Sequence, residues 1–117
     1  YRAVEVDATV PTSVEVAVAA PTAFSLQPNY PNPFNPTTTI QFDVASAAGD
    51  AVGVELDVYD AVGQRLVRLV GETMAVGRHM IVWNGRDRHG NRVSSGVYYA
   101  RLRVGRQTQT RSMLLLK

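Results

Sequence analysis

Histidine, the side chain most often recruited for proton transfer and metal binding near neutral pH, occurs twice in this chain of 117 residues, at His79 and His89. Neither has the spacing to a second histidine or a carboxylate that a zinc motif such as His-Glu-x-x-His requires, so both read as structural or surface residues. The run Asp87-Arg88-His89-Gly90-Asn91 offers two oxygen-bearing side chains to a calcium ion, but an EF-hand loop needs more acids and a closing Glu. A glycine-containing hairpin turn accounts for it better. Cysteine is absent, which removes thiol nucleophiles, thiolate metal sites and disulfides. None of Ser13, Ser25, Ser46, Ser94, Ser95 and Ser112 stands in a Gly-x-Ser-x-Gly elbow, and glycine-rich phosphate loops are missing. The carboxylate pairs Asp57 with Asp60 and Asp43 with Asp50 fall at strand ends, with no neighbouring feature to shift their acidity. The expectation is therefore no catalytic residue, no metal and no cofactor.

Aromatic residues offer a different chemistry. Trp83, Tyr98 and Tyr99 could form a platform for a sugar ring. Trp83, however, closes a strand and precedes Asn84-Gly85, which suits a core tryptophan capped by a turn. Tyr98 and Tyr99 are adjacent and must face opposite sides of any strand. Charge is distributed unevenly: residues 1–60 hold eight acids against Arg2 alone, whereas residues 88–117 hold Arg88, Arg92, Arg101, Arg103, Arg106, Arg111 and Lys117 with no acid. Acidic early strands pairing with basic late ones explains this at a few tenths of a kcal/mol per pair, about the size of cross-strand effects. A basic face for an anionic partner is the alternative. Nucleic acid is not expected, because no loop mixes the cations with aromatics that could stack on bases.

The elements that must position these residues repeat with a period of two. Ile40, Phe42 and Val44 alternate with Gln41 and Asp43, and Val54, Leu56 and Val58 alternate with Glu55 and Asp57, as half-buried strands do. Leu66 to Val70 follows loosely, His79 to Trp83 is mixed, and Val97 to Val104 and Thr108 to Leu116 complete six strands after residue 36. Turn signals separate them at Ala48-Gly49-Asp50, Asp60-Ala61-Val62-Gly63, Val76-Gly77, Asp87 to Asn91 and Val104-Gly105-Arg106. With no sustained helical stripe, the pattern predicts an all-β, antiparallel immunoglobulin-like or fibronectin-like β-sandwich of about seven strands. One domain of this size buries about two-thirds of its unfolded surface. No apolar run approaches the roughly 20 residues of a membrane-spanning helix. The chain begins at Tyr1 with neither an initiator Met nor a signal peptide, so it reads as a piece of a longer protein.

Residues 1–23 read as a linker or the end of an upstream domain, with an added strand at 14–18 as the competing reading, since Val14, Val16 and Val18 share a face. Then comes Asn29-Tyr30-Pro31-Asn32-Pro33-Phe34-Asn35-Pro36. Each proline fixes φ and removes a donor, and the residue before it is pushed to extended geometry, so this is a stiff entrance. Tyr30 and Phe34 are its two expected aromatic anchors.

Five motifs in register resemble a known family: Phe24 to Thr38, Val58-Tyr59-Asp60-Ala61-Val62-Gly63, Gly77-Arg78-His79 with Trp83-Asn84-Gly85-Arg86-Asp87, Ser95-Gly96-Val97-Tyr98-Tyr99, and Met113-Leu114-Leu115-Leu116-Lys117. They resemble the C-terminal sorting domains of the type IX secretion system, type A branch, related to the Ig-like domain of the flagellar hook-capping protein. The resemblance implies that residues 24–117 form a non-catalytic Ig-like sorting domain on an exported cargo. It implies recognition by an outer-membrane translocon, removal by a sortase-like peptidase, and joining of the cargo to anionic lipopolysaccharide at the cell surface, or its release. The sorting signal would map to Gly96, Val97, Tyr98 and Tyr99 and to Arg111, Met113, Leu114, Leu115, Leu116 and Lys117. Arg111-Ser112 stands where the family often has Lys, which moves the charge away from the apolar run. A basic final strand with an open edge could be read by strand addition. A carbohydrate-binding module appended to a glycoside hydrolase and a passive spacer are the other readings.

Overall fold

The computed structural model describes residues 24–45 and 51–117; the expectations of a strand at 14–18 and a turn at 48–50 lie outside them. Seven strands follow in order: β1 Ser25–Leu26, β2 Thr38–Val44, β3 Val52–Tyr59, β4 Arg65–Met74, β5 Gly77–Trp83, β6 Gly96–Val104 and β7 Gln107–Leu115. They form a three-stranded sheet of order β1-β2-β5 and a four-stranded sheet of order β4-β3-β6-β7, with every strand pair antiparallel. The predicted sandwich is thus the observed one, and its six strands after residue 36 are all present.

Period-two patterning does most of the folding. In β2, Thr38, Ile40, Phe42 and Val44 are buried on the inner face, and in β6 Tyr98, Ala100, Leu102 and Val104 are buried while Val97, Tyr99, Arg101 and Arg103 point outward. The two inner faces meet in one core that includes Leu26, Phe42, Leu56, Trp83, Leu102 and Met113. Each such side chain contributes about 1.5–3 kcal/mol by leaving water. Trp83 is a core residue, as its position before Asn84-Gly85 suggested, and its indole Nε1 donates to Arg86 O at 3.0 Å.

β4 explains its own loose pattern. Its pairing with β3 jumps from Leu56↔Val70 to Asp57↔Arg68 and from Val58↔Val67 to Tyr59↔Arg65. Leu69 and Leu66 are therefore the extra residues of two bulges, which break the alternation and twist the edge strand. From β4 the chain passes through Ala75 and Val76 directly into β5, which belongs to the other sheet. This crossing sets the edges of β4 and β5 along one seam of the sandwich and the edges of β1 and β7 along the other.

Candidate functional site

Three asparagines and three prolines build one end of the sandwich. Asn29 is buried, and its amide Nδ2 donates to Thr38 Oγ1 at 2.9 Å and to Pro31 O at 3.2 Å, while Thr38 Oγ1 donates to Pro31 O at 2.8 Å. Tyr30 and Thr39 exchange backbone bonds of 2.9 and 2.8 Å. These contacts pin the start of the entrance to β2. Of the two expected aromatic anchors, only Phe34 anchors through its ring: it is 2% exposed and lies 5.6 Å from Trp83, whereas Tyr30 is 79% exposed and is held by its main chain. Pro31, Asn32, Pro33, Asn35 and Pro36 remain at the surface.

The entrance and the final strand, read in the sequence as separate candidates, are joined. Phe34 N donates to Leu114 O and Leu116 N donates to Phe34 O, both at 3.0 Å, and Leu114 N donates to Asn32 Oδ1 at 3.0 Å. Both main-chain groups of Leu114, near the end of β7, and the N–H of Leu116 just beyond it are therefore occupied. The expected open edge on the last strand is corrected here: its apolar end is clasped by Asn32 and Phe34. Nor is the strand a row of unengaged cations, because Arg111 Nε donates to Leu26 O at 2.8 Å and reaches across to the other sheet. Gln109 does the same, accepting from Leu26 N at 2.8 Å.

Alternation divides the remaining candidates. Met113 and Leu115 are buried, Leu114 is half-buried and Leu116 is 48% exposed beside exposed Lys117, whose N donates to Ser95 Oγ at 3.0 Å. In β6 Gly96 starts the strand, Val97 and Tyr99 face solvent, and Tyr98 is buried with its hydroxyl donating to Ser94 O at 2.6 Å. Burial, with Asp60 adding a smaller effect, pushes the Tyr98 phenol above its ordinary range. Trp83 and Tyr98 meet edge to face at 5.6 Å inside the core, so they make no sugar platform. One residue whose role the sequence did not reveal is Gly85. Its φ is +73°, and a Cβ there would meet Pro36 O at 2.9 Å and Leu115 Cδ2 at 3.9 Å. Only glycine lets this loop approach the clasp so closely.

Among the described residues, the expected pairing of early acids with the cations of residues 88–117 is met only by Arg103, 3.5 Å from Glu55; the closer partners of the early acids are the mid-chain arginines Arg68 and Arg78. Arg68 binds Asp57 through Nε at 2.8 Å and Nη2 at 3.2 Å, and Arg78 binds Asp43 at 2.9 Å. Both guanidinium pKa values are raised by these hydrogen bonds. His79 stacks on Phe42 at 5.6 Å. Asp87 Oδ1 accepts from His89 N at 2.9 Å and Asn91 N at 3.0 Å, and these bonds, that of Asn91 foremost, lower its pKa. The segment is a turn built on an Asx motif. Among the described residues no group of three His, Cys, Asp or Glu side chains could hold a metal.

Two packed antiparallel sheets with this strand order define an immunoglobulin-like β-sandwich. The FlgD Ig-like domain family matches residues 31–107, and the chain belongs to that family. Among solved structures it is similar to PorU from Porphyromonas gingivalis, a dimeric latent form, at 18% identity and TM-score 0.66 over 90% of this chain and 10% of that one. It is also similar to PorZ, an essential surface component of the type IX secretion system of Porphyromonas gingivalis, at 22% identity and TM-score 0.55 over 79% of this chain and 11% of that one. FlgD from P. aeruginosa matches at 22% identity and TM-score 0.50 over 67% of this chain and 57% of that one. The chain thus spans about a tenth of the length of PorZ and PorU. No curated protein sequence matches it.

Proposed function

We propose that residues 24–117 are a non-catalytic sorting module that directs export of an attached cargo through the type IX secretion system and its attachment at the cell surface. The observation that carries this reading is the clasp. The entrance motif and the end of the sorting signal are bonded to each other, Asn32 and Phe34 to Leu114 and Leu116, so the module holds these residues in a fixed pose. A folded tip of this kind can be recognised without a folding cost at binding. The fold likeness to part of PorZ, a surface component of that system, supports the assignment to that secretion route.

The partners in this reading are an outer-membrane translocon, a sortase-like peptidase and the upstream cargo domain; anionic lipopolysaccharide receives the cargo. The exposed tip, Leu116 and Lys117 with Val97 opposite Leu114 on β6, is the surface offered to the translocon. Fusing residues 24–117 to an inert reporter should bring it to the surface of a host with the type IX machinery. Leu116→Glu, which keeps the main-chain bond to Phe34, should lose export while keeping its melting midpoint. A wild-type fusion that stays in the periplasm would sink the proposal.

A further inference from the structure

On the outer face of the four-stranded sheet, three arginines face two carboxylates. Arg68 takes Asp57 in a two-point pair and lies 3.6 Å from Glu55, and Arg103 lies 3.5 Å from the same Glu55. Arg101, opposite Asp57 in the strand register, has no carboxylate within ion-pair distance among the described residues. Its guanidinium instead lies over the Tyr59 ring, 5.9 Å from the centroid, with Nη1 3.5 Å from the Tyr59 hydroxyl. That contact holds the group in place but satisfies few of its five N–H donors.

Arg101 lines a groove of about 440 Å³ together with Tyr59, Tyr99, Thr110 and the turn residues Asp60, Ala61 and Gly63. Tyr99 is 37% exposed and stands opposite Tyr59 on the neighbouring strand, and Thr110 stands opposite Arg101 on the other side. Asp60 Oδ1 accepts from Val62 N at 3.0 Å and Gln64 N at 2.9 Å. Its second oxygen has no donor among the described residues. The groove thus has a cationic fork at one end, an acceptor at the other and an aromatic face between them. Its floor is β3 and β6, each paired on both sides, so a peptide finds no free strand edge to extend. Recognition here must come from side chains.

We infer that this groove binds an acidic saccharide, a uronate whose carboxylate pairs with Arg101 and whose ring lies on Tyr99. Arginine matches a carboxylate with two parallel bonds, and sugar hydroxyls supply the donors that Asp60 and Thr110 accept. The site is distinct from the clasp, and of the residues read as the sorting signal it uses only Tyr99. It also differs from the platform read in the sequence, because Trp83 and Tyr98 take no part.

The test is titration of the full chain with a galacturonate trisaccharide and with its neutral counterpart, followed by amide shifts. Expected is saturable binding, with a Kd on the order of 1 mM, from one charge-assisted pair plus one stacked ring. Arg101→Gln should weaken binding by about tenfold, the size of one such pair, as should Tyr99→Ala, while Arg103→Gln should leave it unchanged. Both side chains are exposed, so unchanged melting midpoints check the fold. Equal binding of the neutral sugar, binding that survives both groove variants, or no shifts at saturating ligand would each overturn the inference. So would tighter binding of an acidic hexapeptide to the same residues, which would reassign the groove to a protein partner.

Discussion

Where β1 meets β7, bonds cross from sheet to sheet along most of the seam: Gln109 and Arg111 hold the two main-chain groups of Leu26, and Asn32 and Phe34 hold Leu114 and Leu116. Where β4 meets β5, the described residues supply one tie across, Arg88 N to Leu66 O at 3.0 Å, while His79 Nε2 lies 2.8 Å from Ala75 O within the connection between the two strands. Half-buried Leu66, Leu69 and Ile81 pack against the core near this second seam, and Met80 and Val82 on β5 are exposed. Edges left unpaired invite association with other strands. β4 answers with two bulges and with Arg65, Arg68 and Glu72, whereas β5 runs in unbroken register with β2. The two seams therefore differ in where their stability comes from. The first is closed by directional bonds to specific residues, and the second by side-chain packing.

Breaking the stitched seam should be the costliest change. Phe34→Ala removes a buried ring from its place against Trp83 and loosens the segment that caps β7, so it should destabilise the domain by about 3–5 kcal/mol. Hydrogen exchange would sharpen the result: the Leu116 amide should lose more protection than amides of β4. Equal losses along both seams would show that Phe34 acts as bulk core and not as a clasp. Gly85→Ala comes next. With φ at +73° and Pro36 O 2.9 Å from the new Cβ, it should cost about 1–3 kcal/mol in chemical denaturation, and Pro36 should shift in the variant's spectrum.

How much of this was readable beforehand follows from how local each contact is. β2, β3 and β6 announce themselves because their inner and outer residues alternate without interruption. β4 hides because Leu66 and Leu69 are bulged residues, and a bulge leaves no mark in composition. β1 is two residues long, too short to show a period. Trp83 was legible from the turn that follows it. Tyr30 reads as an anchor by residue type, whereas its backbone is bridged to Thr39 and its ring is exposed. The clasp was illegible altogether: Asn32 and Leu114 are separated by 82 residues, and neither has a pattern that names the other. Arg111 looked like a surface cation for the same reason, its partner Leu26 O being a main-chain atom.

Arg111→Met tests the lower half of the stitched seam. It keeps the aliphatic stem but loses the bond to Leu26 O, and should cost about 1 kcal/mol. Arg111→Lys should recover little of it, because the ammonium lacks the planar geometry of the guanidinium at that distance. A full rescue by Lys would mean that charge alone, and not the directed bond, closes this edge.

The packed seam should respond to acid instead. Asp87 shapes the loop that places Arg88 N on Leu66 O, and its carboxylate pKa is held below the ordinary 3.8 by the Asn91 and His89 amides. A depressed carboxylate stabilises the fold fully above its unfolded value, and that contribution is lost as pH falls through the folded value. Protection of the Arg88 amide should therefore drop below about pH 3.8, while the Leu116 amide on the stitched seam keeps its protection relative to global unfolding. Asp87→Ala should give at neutral pH the local opening that the wild type shows only in acid. The effect is small because the group is exposed to solvent, and it is confined to one end of the seam. If the two amides lose protection together in acid, the seams are one cooperative unit and the distinction between stitched and packed closure does not extend to their dynamics.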